Sequence, residues 1–160
     1  MTSHAAMPQE PPSVADELEA IRQLKARYFR FMDTKAWDAW RDVFTPDVVG
    51  VFDNAVSTGG ADGRPGPTWD GVDALVASIR GAIEECVTVH QGFTPEITLT
   101  SSTSATGVWA MADVVAFPNG YTLYGAGHYH ETYIKVSGVW RIRSIHLTRT
   151  RMEFTAPQGS

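Results

Sequence analysis

Ile21, Leu24, Tyr28, Phe31 and Met32 recur three and four positions apart, a spacing that predicts a helix with one buried face, ending near Asp33. Ser13 with Asp16 and Glu17 behind it predicts the start of that helix, with acids where the macrodipole favours them. A second helix is expected over 35–44, carrying Trp37, Trp40, Val43 and Phe44 and stopped by Pro46. The valine-rich run 48–52 predicts a short strand, and Val72, Leu75, Val76, Ile79 and Ile83 predict a third helix over 72–85. From residue 87 the period falls from 3.6 to 2, with strands expected over 88–93, 96–101, 106–117, 122–136 and 139–154. Asn119-Gly120 and Ser137-Gly138 are tight-turn dipeptides between the last three. Helices followed by consecutive long strands give an α+β order, and long strands coil, so the sheet should curl around the helices.

The glycine- and proline-rich stretch 53–70 predicts a long loop of the kind that shapes a binding site. Residues 1–12 and 155–160 are expected to be tails around one domain over 13–154. A net charge of −5 argues against a nucleic-acid partner, because phosphate binding needs a basic stripe. The single cysteine, Cys86, excludes an intramolecular disulfide framework. No apolar run approaches the ~20 residues of a membrane span. Without a recognisable secretory signal, the expected location is cytoplasmic.

Candidate chemistry then falls on a few positions. A phenol on the buried stripe, Tyr28, needs a partner or a cavity, and so does the carboxylate of Asp33. In Gly107-Val-Trp-Ala-Met-Ala-Asp113 the side chains of Trp109, Met111 and Asp113 share one strand face, opposite Ala110 and Ala112. That composition suits an apolar pocket wall with one acid, and burial there would raise the pKa of Asp113 toward a general acid's range. The other reading puts Asp113 at a wet sheet edge. His90 is either a structural residue or a base, and the second needs a carboxylate such as Asp33 to fix its tautomer. His128 and His130 share a face and with His146 or His90 suggest a metal set, but the further acid of such a motif is missing, and no metal is expected.

Four segments resemble a known superfamily. They are Ile21-Arg-Gln-Leu-Lys-Ala-Arg-Tyr-Phe-Arg with Asp33 and Trp37-Asp38, His90-Gln-Gly-Phe-Thr-Pro-Glu-Ile-Thr, Ala105-Thr-Gly-Val-Trp with Asp113, and Gly138-Val-Trp140. Together they are similar to the NTF2-like superfamily, which includes the SnoaL-like cyclases, scytalone dehydratase and hexachlorocyclohexane dehydrochlorinase. Within it the chain most resembles the bile acid 7α-dehydratases. The resemblance implies a cone-shaped α+β barrel, three helices packed in a strongly curved, mostly antiparallel sheet. It also implies an active site of Tyr28, Asp33, His90 and Asp113, with a family arginine on Arg149; Arg149 and the pocket-wall residues read from the alternation, Trp109 and Met111, are the expected substrate-binding residues. The implied function is a cofactor-independent lyase, a dehydratase working on an apolar polycyclic substrate of steroid, terpenoid or polyketide type. An isomerase or cyclase with the same acid–base set, or a non-catalytic ligand binder, is the alternative. A homo-oligomer is expected, a trimer ahead of a dimer.

Overall fold

The computed structural model describes residues 11–58 and 65–157. Helix α1 covers Val14–Asp33, α2 Trp37–Arg41 and α3 Val72–Ile83. The strands are β1 (Phe44–Phe52), β2 (Thr68–Asp70), β3 (Val87–Leu99), β4 (Ser104–Ala116), β5 (Thr122–Val136) and β6 (Val139–Thr155). They form one curved, unclosed sheet in the order β2-β1-β6-β5-β4-β3. All neighbours are antiparallel except β1 and β6, so the sheet is mixed, as a mostly antiparallel cone would be. The helices cover its concave face, and Ile21, Leu24, Tyr28, Trp40, Phe44, Val48, Leu75, Ile142 and Ile145 meet in one core.

Local chemistry sets the ends of α1. Ser13 and Asp16 form a reciprocal capping box at its start. At the other end Ala36 N–H donates to the Phe31 carbonyl and Lys35 N–H to that of Met32, the paired bonds of a Schellman stop. Lys35 takes the left-handed conformation, φ 58°, that glycine usually fills there. Asp33 is therefore the last helical residue, free to turn toward β3.

Three expectations are corrected. The second helix is shorter than 35–44, and Phe44 already belongs to β1. Pro46 lies inside that strand, where the β1–β6 register shifts between Phe44 and Val49 and no ladder bond has to be sacrificed. Strands 88–93 and 96–101 are one strand, β3, which continues through an irregularity between Phe93 and Glu96 where Thr94 has φ 26°. The long loop contains β2, paired with β1; its residues 59–64, like most of the expected N-terminal tail and the last three residues, lie outside the described residues. No described helix is long and apolar enough to cross a membrane.

Candidate active site

A chamber of about 260 Å³ opens between α1, α3 and the sheet. Its walls are apolar, with Phe52, Ile79, Ile83, Val115, Phe117, Leu123 and Met152 around it. Into it come the polar side chains of Tyr28, His90, Asp113, Tyr129 and Arg149. A hollow of about 440 Å³ on the outer sheet face is larger, but it is shallow and lined by hydroxyls and imidazoles at the surface. The inner chamber is lined by two residues with buried polar atoms left without partners, Tyr28 and Arg149, which makes it the better candidate for a ligand.

His90 and Asp113 are cross-strand partners on β3 and β4, so both project to the concave face. His90 Nδ1 lies 2.6 Å from Asp33 Oδ1. Asp33 also accepts from the His90 backbone N–H at 2.9 Å and from the Thr88 hydroxyl at 2.9 Å. Burial alone would raise the Asp33 carboxyl, but these bonds from His90 and Thr88 outweigh it and hold the group below its ordinary value. A carboxylate on Nδ1 fixes the tautomer with the proton on that nitrogen, and Nε2 makes no hydrogen bond among the described residues. Asp33 does not line the chamber. It stands behind His90: α1 is helical through Asp33, so the five residues from Tyr28 turn it about 140° around the axis, away from the chamber and onto the imidazole's other nitrogen.

Asp113 is not the isolated acid expected from its apolar neighbours. Arg149 reaches across from β6 and grips it with both terminal nitrogens, at 2.9 Å to Oδ1 and 2.8 Å to Oδ2. An Arg fork of this kind binds the carboxylate form, which removes the basis for treating Asp113 as the proton donor. The pair exists because β5 carries glycine between them: a Cβ on Gly125 would collide with both Asp113 Oδ1 and Arg149 Nη1. Arg149 Nε remains buried and without a partner, as does Tyr28 Oη. Burial first, then the neighbouring Tyr129, pushes the Tyr28 hydroxyl well above the usual phenol range, so it stays a donor near neutral pH.

Trp109 and Met111 share the Asp113 face as the alternation predicts, yet neither lines the chamber. Trp109 packs deeper in the core, where its indole donates to Tyr133 Oη at 2.8 Å. Met111 is buried beneath the guanidinium, its sulfur 3.7 Å from Arg149 Nη1. Both support the site from below. His128, His130 and His146 stand in a row on the outer face, ring centroids 6.5 and 6.4 Å apart. His146 Nε2 lies 3.0 Å from Asp53, and no group of three His, Cys, Asp or Glu among the described residues is placed to hold a metal ion.

The sequence reading missed Tyr129, Lys25 and Glu131. Tyr129, Glu131 and Tyr133 share the inward face of β5, alternating with the exposed His130 and Thr132, and that alternation was the available signal. The expected loop after β1 is tied to the site in a way its sequence does not show: Ser57 and Thr58 N–H donate to the Arg149 carbonyl, and Ser57 Oγ accepts from Arg149 N–H.

The SnoaL-like domain model matches residues 13–146, most of the chain. The chain belongs to the SnoaL-like family. A relative from Gibberella zeae, named "Probable cyclase FGR4", is 28% identical over 86% of this chain and 94% of its own length. Among solved structures, the type-3 hexachlorocyclohexane dehydrochlorinase of Novosphingobium barchaimii superposes with a TM-score of 0.73 at 12% identity, covering 90% of this chain and 93% of its own. A scytalone dehydratase-like protein of Novosphingobium aromaticivorans gives 0.70 at 19% identity, covering 90% and 94%. At these identities the two structures speak for the fold of the SnoaL-like domain alone.

Proposed function

We propose that this SnoaL-like protein is a cofactor-independent lyase that removes water from a compact apolar substrate carrying a carbonyl group. The observation that carries this reading is the Asp33–His90 contact of 2.6 Å, with His90 at the wall of an apolar chamber. An imidazole so held is a general base whose free nitrogen faces the ligand space. His90 Nε2 takes a proton from the carbon beside the carbonyl, and the electron pair left behind forms the new C=C bond. The hydroxyl on the next carbon departs with a proton from Tyr28 Oη, giving water. Arg149 Nε donates to the carbonyl oxygen, where negative charge develops, and Asp113 holds that guanidinium in place. Each proton transfer contributes typically ~10²–10⁴-fold, and the apolar walls strengthen the few polar contacts by excluding bulk water.

A chamber of about 260 Å³ is at the small end for ligand pockets, which run from ~300 to ~1,000 Å³. That supports a fused-ring substrate of two or three rings ahead of a full steroid. A cyclase or isomerase using the same base has its support in the cyclase relative, since both reactions begin with the same proton abstraction. The outer row of exposed Val89 and Tyr124 with half-buried Val114 between them is the surface we assign to self-association.

The test is proton exchange and turnover on a panel of fused-ring β-hydroxy ketones in D₂O, followed by NMR. Wild type should exchange the proton beside the carbonyl and release water, and His90→Ala should do neither. Binding without exchange in wild type would make the protein a ligand carrier and end the lyase reading; exchange without loss of water would favour the isomerase or cyclase.

A further inference from the structure

Lys25 is fully buried, on the same face of α1 as Tyr28, and ion-paired with the equally hidden Glu131 of β5. Glu131 also accepts from the Tyr133 hydroxyl, which in turn accepts from Trp109. Taking an ammonium and a carboxylate out of water costs several kcal/mol each, and a well-packed apolar pair of similar size is often more stable. Packing alone therefore does not explain the choice of these two residues. Their surroundings suggest a reason. Lys25 Nζ lies 3.8 Å from the ring centroid of Tyr28 and 3.6 Å from that of Tyr129, and the two rings meet edge to face at 5.7 Å. Both tyrosines line the chamber.

We propose that Lys25, held by Glu131, is a positioning residue that clamps the Tyr28 and Tyr129 rings by their faces and makes their hydroxyls stronger hydrogen-bond donors toward the chamber. A cation on a ring face is attracted by the π density, which fixes the ring. Its field also stabilises negative charge growing on the phenol oxygen, and so strengthens the O–H as a donor. Burial opposes this first, and the charge of Glu131 opposes it as well, so both hydroxyls stand above the phenol range. Seated on the two ring faces, the ammonium acts against both of these. Lys25 touches no ligand; it acts through the two phenols. The inference rests on the reading of the chamber as a site for a carbonyl compound.

The probe is α-tetralone, a two-ring aryl ketone carrying ¹³C at its carbonyl, whose stretching band reports the hydrogen bonds made to its oxygen. This ketone has no hydroxyl to lose, so in wild type Tyr28 Oη is left to donate to the carbonyl beside Arg149 Nε; the band should lie below its position in an apolar solvent, and Tyr28→Phe should move it part of the way back up. Lys25→Met combined with Glu131→Gln leaves no unpaired buried ion, and should move the band part of the way toward the Tyr28→Phe position. The affinity for the ketone should fall roughly threefold to tenfold with it. A second measurement needs no substitution. Burial, opposed by Glu131, lowers the Lys25 pKa to about 8, so raising the pH through that value discharges the ammonium while the phenols facing it, Tyr28, Tyr129 and Tyr133, stay protonated. The wild-type band should climb over that range, and the double variant's should not. If the band depends on Tyr28 but is indifferent both to the double substitution and to this titration, the Lys25–Glu131 pair is structural only. If the wild-type band is already that of Tyr28→Phe, the reading of Tyr28 as a donor into the chamber fails first and the inference with it; if the ketone does not bind, the reading of the chamber itself fails.

Discussion

His90 and Asp113 sit directly opposite each other on adjacent antiparallel strands, yet they turn to different partners. The imidazole is taken by Asp33 behind it, and the carboxylate by Arg149 beyond Gly125. Two acids and two nitrogenous groups are thereby sorted into a base unit and an anchoring unit within one chamber.

The base unit predicts a specific pair of effects for Asp33→Asn. Proton exchange at the carbon beside a ketone should fall about 10²–10⁴-fold, because the amide no longer stabilises the imidazole that takes the proton. NMR in D₂O measures it. Because the folded Asp33 carboxyl titrates below its ordinary 3.8, its contribution to stability is complete above that value and is lost as the pH falls through the lower folded one. Thermal melts from neutral pH down to acid should therefore show a decline in wild type below the usual carboxylate range that is shallower in Asp33→Asn.

The anchoring unit is expected to fail asymmetrically. Asp113→Ala leaves a buried guanidinium unpaired and should lose about 3–5 kcal/mol in urea unfolding, whereas Asp113→Leu with Arg149→Met should recover most of that. The double variant would be folded and blind to ketones. Recovery of ketone binding in it would show that Arg149 does not touch the ligand.

Gly125→Ala tests the same pair without removing a charge. The added methyl falls within contact of both Asp113 Oδ1 and Arg149 Nη1, so the fork must open. Overpacking of this kind typically costs ~1–3 kcal/mol, and ketone affinity should fall with it. Gly138→Ala, where a Cβ meets nothing within 4 Å but φ is 81°, should lower stability without touching ketone affinity.

Ser13→Ala removes the capping box far from the chamber. A loss of about 1 kcal/mol in urea unfolding, with exchange rates unchanged, is the expected result. A change in exchange rate would mean that the start of α1 reaches the site.

Tyr28, Asp33, His90 and Asp113 were legible because each breaks a local pattern: a phenol in an apolar stripe, an acid at a helix end, a histidine and an acid in alternating strands. Lys25 broke the same pattern and was passed over. It stands four after Ile21 and three before Tyr28, in the middle of the buried stripe, but a lysine is read as solvent-facing by habit. Its partner Glu131 is 106 positions away, and nothing local to either residue announces the pair. The alternation placed Trp109, Met111 and Asp113 on one face correctly, but alternation gives the face and not the depth. Only Asp113 reaches the chamber, because the other two lie under the deeper part of the sheet. Pro46 was read as a helix stop because proline is usually excluded from strands, and the register shift that admits it is invisible in sequence.

The backbone of Arg149 is tied to Ser57 and Thr58 while its side chain faces the ligand. The segment that contributes Asp53 and Asn54 to the chamber wall is, three residues later, stitched to the very residue that receives the ligand. An engineer who rewrites that segment to admit a new guest would also be moving the guest's anchor, so selectivity and grip would have to be redesigned together.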